Sequence, residues 1–407
     1  MGPLEGIRVL DLSRVLAGPT ATQMMADFGA EVIKIERPRT GDDTRQWGPP
    51  YVKDTDGNDS DLATYFVSAN RGKRSVAIDI ARPEGQALVR RLAERSDVFF
   101  ENFKTHGLRQ YGLDHETIRA LNPRIVYASI TGFGQTGPYA PRPGYDPIAQ
   151  AMGGLMSVTG IPDGEPGGGP QRAGVAVTDV MTGVYAVAAV LAGLIHRGAS
   201  GNGQFIDLSL LDVQIAGMTN VAQAYLGAGV VGERCNSVHP SVVPSQIFRC
   251  LEGSVMLVAG NDAQFGALCL VLGRPEWARD ERFAINASRV RHRDVLIPAL
   301  QDRLMTRTAA EWTIACSDVG VPCGPINDIA QAFADPQVMA RGMRIELPHS
   351  SLGRLALVGC PVQFSDTPVE YRRPPPGLGE HTEEVLREVL GMQKAELDDL
   401  RGAAIVG

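Results

Sequence analysis

Short apolar runs alternate with longer segments of helical character through the first 134 residues. GPTATQMMADFG (18–29) reads as a helix opened by Gly-Pro, and RPEGQALVRRLAERS (82–96) reads as an amphipathic helix. The strand-like runs are IRVLDLS (7–13), EVIKIERP (31–38), KRSVAIDI (73–80), DVFFENF (97–103) and RIVYASITGFG (124–134). Strands that alternate with helices in this way predict an α/β fold built on a parallel, doubly wound sheet.

One apolar segment in the middle of the chain departs from this pattern. Residues 180–196 (VMTGVYAVAAVLAGLIH) have no charge in the body of the segment, which predicts a helix buried nearly all round. A β-like run, residues 175–177, leads into it, and Asp179 lies at the junction. The acid is therefore expected inside the protein. Two roles remain open and compatible: Thr178 or Asp179 caps the helix, or Asp179 is an ionised, water-shielded nucleophile.

The second half of the chain changes character. Residues 213–224 carry little charge and predict a linker, after which SQIFRCLEGSVMLVAG (245–260) reads as a hairpin followed by helices. We predict a large domain over 1–212, a small α+β domain over 225–330 and a return segment over 331–407. A proline run in that segment, YRRPPPGLGEH, should pack extended across the large domain before a final helix.

Composition narrows the class of protein. A chain of 407 residues with 44% hydrophobic and 21% charged residues predicts a soluble protein of two domains. The net charge of -7 argues against nucleic acid or an anionic membrane as the main partner. The first residues lack the pattern of a signal peptide, and we expect no membrane span and a cytoplasmic enzyme.

The cysteines and histidines show no metal-binding pattern. The six cysteines include no CxxC pair, and the seven histidines are dispersed. We therefore predict reduced thiols and no metal.

The turn after the first strand could bind a ligand, although it is not a dinucleotide fingerprint. It reads RVLAGPTA and lacks GxGxxG, so an NAD-dependent oxidoreductase is not supported. Leu16 and Ala17 lie just past the carboxyl end of the strand, where open α/β sheets bind ligands. Arg37 closes the second strand, where it could meet a phosphate or stack on adenine.

A long polar loop follows the second strand. Residues 39–59 are rich in Gly, Pro and Asp, and loops of this length in compact domains are often functional. Arg45 and Trp47 stand out in it.

Long, ordered motifs resemble a known family. These are LEGIRVLDLSRVLAGP (4–19), SITGFGQTGPYAPRPGYDPIAQAMGGLMSVTG (129–160), HRGASGNGQFIDLSLLD (196–212), GVPCGPIN (320–327) and LGEHTEEVL (378–386). Together with the stretch around Asp179 they resemble the class III coenzyme A transferases, the family of formyl-CoA transferase and carnitine CoA-transferase. The resemblance implies a Rossmann-like large domain, an interlocked homodimer and Asp179 as the nucleophile.

The resemblance also implies where coenzyme A binds, as a substrate and not as a permanently bound cofactor. The implied contacts are Leu16, Ala17, Arg37, Ile78, Asp79, Asn102, Phe103 and Tyr145. A family arginine is replaced by Gln110, with Arg109 beside it. The densest basic cluster, Arg71, Lys73 and Arg74, reads either as a solvated turn or as part of this site.

The implied mechanism is covalent. Asp179 attacks the donor thioester to give an anhydride, the CoA thiolate then forms an aspartyl thioester, and the acceptor carboxylate reverses the sequence. The family covers this intermediate with a glycine-rich loop, but the corresponding region here, HPSVVPSQ (239–246), has no glycine run. The donors to the oxyanion are therefore not identified by sequence.

Other functions leave different signatures. The related 2-methylacyl-CoA racemases have a histidine where this chain has Tyr145, and a phenol is a poor base at neutral pH. His239 could replace it, although a loop histidine before proline is more often structural. A non-catalytic acyl-CoA-binding protein would keep Arg37 and Asn102 and lose the acid, and Asp179 is present.

Three segments resemble the succinyl-CoA:glutarate group of the family most closely: GDDTRQWGPP (41–50), RAGVAVTD (172–179) and RPPPGLGEHTEEVL (373–386). The second carboxylate of a dicarboxylic acid needs a cation, since an unpaired charge in a closed site is costly. Arg45, beside Trp47, and Arg172 are the candidates. We expect succinyl-CoA as donor and a dicarboxylate such as glutarate, malate or itaconate as acceptor. Carnitine-type or formate/oxalate substrates are the alternative.

Overall fold

The computed structural model describes residues 1–350 and 352–407 and divides into two compact units. The first unit comprises Met1–Leu155, Arg172–Val231 and Met339–Gly407. The second comprises Met156–Gln171 and Gly232–Val338.

The strands in the described residues are, in chain order, β1 (Arg8–Asp11), β2 (Glu31–Glu36), β3 (Tyr51–Lys53), β4 (Asp59–Ala63), β5 (Lys73–Ala77), β6 (Val98–Glu101), β7 (Val126–Thr131), β8 (Gly160–Ile161), β9 (Gly169–Pro170), β10 (Phe205–Ser209), β11 (Ser245–Arg249), β12 (Ser254–Val258), β13 (Cys323–Pro325), β14 (Arg344–His349) and β15 (Gly353–Val358).

The α-helices are α1 (Ala17–Asp27), α2 (Thr64–Ser68), α3 (Pro83–Glu94), α4 (His115–Leu121), α5 (Asp146–Met152), α6 (Leu155–Val158), α7 (Val177–Ser200), α8 (Leu210–Gly217), α9 (Thr219–Ala228), α10 (Asp262–Val271), α11 (Asn286–Arg291), α12 (Arg293–Leu304), α13 (Ala309–Ser317), α14 (Ile329–Ala334), α15 (Pro336–Ala340), α16 (Thr382–Leu390) and α17 (Lys394–Gly402). Short 3₁₀ helices span Asp43–Gln46, Arg109–Tyr111 and Pro275–Arg279.

A parallel six-stranded sheet forms the centre of the first unit, as predicted. Its order is β10-β7-β6-β1-β2-β5. The chain turns back across β1 to reach β6, so the carboxyl ends of β1 and β6 form a topological switch point, where open α/β sheets bind ligands. Val9 and Leu10 on β1 face opposite hydrophobic clusters, which explains the continuous apolar strand sequences.

Alternate faces of this sheet are covered by different helices. Leu10 belongs to a cluster with residues of α3 and α16, and Val9 to a cluster with residues of α1 and α7. Gly183 of α7 permits the close approach of α1, because a Cβ there would lie 2.9 Å from the Ala17 carbonyl oxygen. The residues that follow the proline run bond to β5: Gly379 N–H donates to Ser75 Oγ at 2.9 Å and His381 N–H to Ser75 O at 2.9 Å.

The second unit contains the predicted hairpin. β11 and β12 pair antiparallel and β13 extends the sheet, while buried residues of α10, α12 and α13, among them Trp312, form a core with it. The β8–β9 hairpin also belongs to this unit and carries the glycine-rich sequence DGEPGGGP, which sequence analysis did not weigh. The six cysteines, all within the described residues, are free thiols.

Two predictions around the middle of the chain are wrong. Residues 213–224, predicted as a linker, lie in the region of α8 and α9. Their low charge is that of apolar helices and not that of a connection between domains. Residues 175–177 form no strand, and α7 begins at Val177.

The prediction that the apolar helix is buried all round is also wrong. One face of α7 packs on α1, but Val184 and Tyr185 are each 49% exposed and Ile195 is 76% exposed. An apolar sequence indicates that a helix disfavours contact with water, but it does not identify which element packs against each face. By length and mean hydropathy (1.7), α7 also meets the criteria for a membrane-spanning helix, which core helices of soluble proteins meet as well.

The basic cluster at the start of β5 is not a solvated turn. Arg71, Lys73 and Arg74 are buried and paired with acids from other elements. The pairs are Arg71 with Asp27 at 2.5 Å, Lys73 with Asp11 at 3.2 Å, and Arg74 with Glu31 at 2.7 Å, Glu384 at 2.7 Å and Glu388 at 2.6 Å. Sequence could not reveal partners this distant along the chain.

Buried ion pairs also lie beneath the carboxyl ends of β1 and β2. Lys34 and Asp42 are both fully buried, with Nζ 2.9 Å from Oδ2. Burial opposes ionisation of the acid, but Lys34 and hydrogen bonds from Thr44 lower the pKa of Asp42 to about 2. Burial likewise disfavours the charge on Lys34, yet Asp42 and its acidic neighbours raise the pKa of that amine. The pair is therefore a fixed pair of charges.

We predict that Asp42→Ala lowers the free energy of unfolding by about 3–5 kcal/mol, because the Lys34 charge is left buried without its acid. Urea unfolding checks this. The control is Glu116→Ala, which removes an exposed partner of Arg109 at 3.2 Å and should cost less than about 1 kcal/mol. Equal losses in the two variants would contradict the prediction.

Candidate active site

Two cavities lie at the switch point of the sheet. One, the Asp179 cavity, has a volume of about 160 Å³, and the other, the Arg37 cavity, of about 110 Å³. Arg14 and Phe103 line both cavities, so the two adjoin.

Asp179 stands in the first turn of α7 and is buried. It does not cap its own helix. Instead Asp146, at the start of α5, accepts hydrogen bonds through Oδ1 from the N–H groups of Thr178 at 2.8 Å and Asp179 at 3.2 Å. Gln150 Nε2 donates to the other Asp146 oxygen at 2.6 Å, which fixes the capping carboxylate. The capping role predicted for Thr178 or Asp179 is therefore wrong, and the Asp179 carboxylate is left for the cavity.

The electrostatics of Asp179 follow from this position. Burial, and after it the nearby Asp146 carboxylate, raise the pKa of Asp179 to about 7. Tyr65 lies within the same field: burial, followed by Asp179, Asp146 and Asp42, raises the pKa of its phenol. At neutral pH Asp179 is thus an unusually basic carboxylate beside a protonated phenol.

The turn between β1 and α1 forms another wall of the Asp179 cavity, and its backbone is tightly held. Asn102 accepts from Arg14 N–H at 2.8 Å and donates to Arg14 O at 2.6 Å. Lys34 Nζ donates to Ser13 O at 2.8 Å, and Asp42 accepts from Val15 N–H at 3.2 Å. These bonds hold Val15 at a φ of 71°, in a left-handed conformation that is strained for a β-branched residue.

The structure brings together the residues expected to contact coenzyme A. Those in the Asp179 cavity are Leu16, Ala17, Asn102, Phe103 and Tyr145, and those in the Arg37 cavity are Arg37, Ile78, Asp79 and again Phe103. Their contacts to a bound coenzyme stay a prediction.

The residues proposed to bind a second carboxylate are not in the Asp179 cavity. Arg45 directs Nε and Nη2 to the two oxygens of Glu36 at 2.8 and 2.7 Å, and its guanidinium lies 3.7 Å from the centre of the Phe66 ring. Its Nε and Nη2 are therefore occupied by Glu36, and Nη2 also donates to Pro376 O at 3.1 Å. Arg172 is exposed and does not line the Asp179 cavity. Trp47 packs edge-on against Tyr65 with ring centres 5.1 Å apart. Tyr65 is the residue whose pKa the charge of Asp179 raises.

The cations that do line the Asp179 cavity were missed by sequence analysis. They are Arg14, Lys104 and Arg142. Arg14 precedes Leu16 in the RVLAGP motif and Lys104 follows Phe103, so adjacency to predicted contacts was the available signal. Arg109 does not replace the family arginine that is Gln110 in this chain, because Arg109 pairs with Glu116 and lines a different cavity.

One further residue that sequence left open, His239, lies elsewhere. The Nδ1 of His239 accepts from Ser241 N–H at 3.1 Å within a loop of the second unit.

Over residues 1–350 and 352–407, no three His, Cys, Asp or Glu side chains are grouped to hold a metal ion.

Comparisons with known proteins agree on one family. A family model described as CoA-transferase family III matches residues 4–382. The succinate–glutarate CoA-transferase of Agrobacterium fabrum is 49% identical over 387 residues, which cover 95% of this chain and 96% of that protein. The succinyl-CoA:glutarate CoA-transferase of Homo sapiens is 43% identical over 404 residues, covering 99% and 90%. Among solved structures, a CAIB/BAIF family protein from Brucella suis has a TM-score of 0.84 at 44% identity, covering 95% of this chain and 99% of that one.

The raised pKa of Asp179 leads to a prediction about stability. The folded-state pKa of about 7 lies above the ordinary value of 3.8, so the folded state holds this proton more tightly than the unfolded chain does. Stability from the protonated acid is present below the unfolded pKa and is lost as pH rises through about 7. Asp179→Asn removes this dependence. Its free energy of unfolding relative to the parent should rise by about 3 kcal/mol between pH 5 and pH 8.

Urea unfolding of both proteins at the two pH values measures this difference. An equal difference at pH 5 and pH 8 would contradict the raised pKa.

Proposed function

Because the chain belongs to CoA-transferase family III and is a CoA-transferase, we propose that it moves CoA from succinyl-CoA to a small dicarboxylic acid such as glutarate. The relatives named for succinate and glutarate support this choice, since they match over nearly the whole chain.

One observation carries the proposal for the reaction: the Asp179 carboxylate is buried at a helix N-terminus, is not used as the cap, and lines a cavity. Its oxygen attacks the thioester carbonyl, the C–S bond breaks, and CoA leaves as a thiolate with an Asp179 anhydride remaining. The thiolate then attacks the aspartyl carbonyl and releases succinate. Attack of the acceptor carboxylate on the aspartyl thioester, and return of the thiolate, give the new acyl-CoA and restore Asp179.

The charges around the cavity support anionic substrates. Arg14, Lys104 and Arg142 line it together with Asp179. Arg142 stacks on Tyr139, with its guanidinium 3.9 Å from the ring centre, and makes no ion pair among the described residues. A distal carboxylate therefore finds Lys104 and Arg142 here in place of Arg45, which Glu36 neutralises.

Racemisation is less well supported. It needs a base and an acid on opposite sides of a carbon atom, and the family position of the histidine is occupied by Tyr145, a half-exposed phenol. Asp179 is buried and its carboxylate is not used as a helix cap, which suits the role of a nucleophile.

The decisive experiment incubates the protein with succinyl-CoA and a panel of acids and detects new CoA esters by mass. Glutaryl-CoA should form in the parent protein, and Asp179→Asn should reduce the rate by more than about a thousandfold while CoA still binds, because the amide cannot attack. Hydroxylamine added with acyl-CoA should leave a hydroxamate at Asp179 in a peptide map. Glu116→Gln, at an exposed pair away from both cavities, serves as control.

Turnover retained in Asp179→Asn would refute the nucleophile. Efficient use of carnitine or formate in preference to dicarboxylates would refute the substrate assignment.

We also propose that the protein is a homodimer, as the family resemblance implies. An apolar surface on α7, α8 and α9 supports this: Tyr185, Ile215, Tyr225 and Leu226 are between 49% and 76% exposed. Contiguous apolar patches on this scale mark interaction sites in soluble proteins.

Light scattering after size exclusion should therefore give twice the chain mass of 43.6 kDa. Leu226→Glu should weaken the dimer, because it places a charge in the apolar surface. A species of 43.6 kDa for the parent at micromolar concentration would contradict the proposal.

A further inference from the structure

The guanidinium of Arg14 keeps hydrogen-bonding capacity that nothing in the described part of the chain uses. Its Nη1 lies 3.3 Å from Asp43 Oδ2, a pair in which both side chains are exposed, and its Nε is buried without an acceptor. The carbon of the guanidinium lies 5.0 Å from the centre of the Phe103 ring, so the ring supports the cation from one side. Arg14 is thus a partly satisfied cation in a ligand cavity.

The backbone around Arg14 is fixed before any ligand arrives. Its own N–H and C=O both bond to Asn102, and the flanking Ser13 O and Val15 N–H bond to Lys34 and Asp42. Lys34 and Asp42 are themselves fully buried as a pair. Four consecutive backbone polar groups and a strained Val15 thus hold the backbone of Arg14 in one position, which limits where its guanidinium can lie.

The location of Arg14 indicates which part of a substrate it meets. It lines both the Asp179 cavity and the Arg37 cavity, at the place where they adjoin. An acyl-CoA whose thioester reaches Asp179 extends away from the acid, and the neighbouring cavity is the continuation of that path. Along the molecule the order is thioester, pantetheine, diphosphate and adenosine. Between the thioester and the adenosine the pantetheine is uncharged and the diphosphate is anionic, so a cation on this path is complementary to the diphosphate.

We propose that Arg14 binds the diphosphate of the acyl-CoA, and that Lys34 and Asp42 are positioning residues which hold it there. The proposal rests on the proposed function for the direction in which the acyl-CoA lies. An arginine suits this role because its planar fork matches phosphate oxygens.

The other basic residues of the region do not occupy this position. Arg37 lines the Arg37 cavity but not the Asp179 cavity, Arg45 is neutralised by Glu36, and Arg109 is paired with Glu116 elsewhere.

The test measures binding of free CoA by calorimetry, in the absence of any acyl group or acceptor. Arg14→Gln should raise the Kd of CoA at least tenfold, and Arg14→Lys should give a smaller rise, because the charge stays but the fork is lost. Asp43→Asn should lower the Kd two- to threefold, since it removes a carboxylate that competes for the same guanidinium. A purely structural Arg14–Asp43 pair predicts weaker binding in both variants.

A truncated donor locates the effect on the coenzyme. With S-succinyl-pantetheine, which lacks the diphosphate, kcat/KM should be the same in the parent and in Arg14→Gln. An unchanged Kd for CoA in Arg14→Gln, with a raised KM for glutarate, would overturn the proposal and assign Arg14 to the distal carboxylate. Loss of pantetheine turnover equal to that of CoA would overturn it as well. The calorimetric Kd values are measured with free CoA, so they do not depend on which acids the enzyme uses.

Positioning is tested with two buried lysines. Lys34→Met should raise the Kd of CoA several-fold through Arg14, whereas Lys73→Met, equally buried but bonded to Pro19 O and Asn70, should leave it within twofold. Added to Arg14→Gln, Lys34→Met should give no further rise. Equal rises in the two lysine variants would refute the positioning role.

Discussion

The site depends on one hydrogen-bonded arrangement, in which the N-terminus of α7 is capped by an acid from another helix. The free N–H groups of a first turn attract a carboxylate, and Asp179 is the nearest one in sequence. If Asp179 filled that role, its oxygens would be turned inward and its pKa lowered. Because Asp146 takes the N–H groups of Thr178 and Asp179, the helix terminus is satisfied and the second acid is free. The same Asp146 charge then contributes to the raised pKa of Asp179.

A second constraint acts from below the cavity, where charged residues are buried beneath the strand ends. Lys34 and Lys73 would each be costly to bury alone, and each is paired with an acid and bonded to a backbone carbonyl. Lys34 fixes the turn that lines the cavity, because it holds Ser13 O, whereas Lys73 holds Pro19 O within α1. The rigid sheet thereby sets the position of a loop that its own sequence would not fix.

Sequence was sufficient for features that depend on local order. The parallel sheet follows from strand runs such as residues 31–38, and Asp179 at the start of a helix follows from the change of composition there. Sequence could not give partners that topology brings together from afar. Asp146 lies 33 residues before Asp179, Arg71 meets Asp27, and Arg45 meets Glu36 across a loop. Each of these pairings changed the role assigned to a charged residue. A sequence shows that a residue is charged, but it does not show which residue pairs with it.

The same reasoning explains why a carboxylate of raised pKa suits transfer of CoA between acids. An ordinary aspartate is a weak nucleophile and a good leaving group, so its anhydride or thioester would form with difficulty and collapse readily. Burial of Asp179 beside Asp146 makes the ionised form less stable and therefore more reactive toward a carbonyl. An acid with a pKa near 7 is still substantially ionised at neutral pH, which a more strongly shifted group would not be. In the proposed reaction the buried charge of Asp179 disappears when the carboxylate becomes a neutral acyl group, so formation of the intermediate removes the cost of burying that charge.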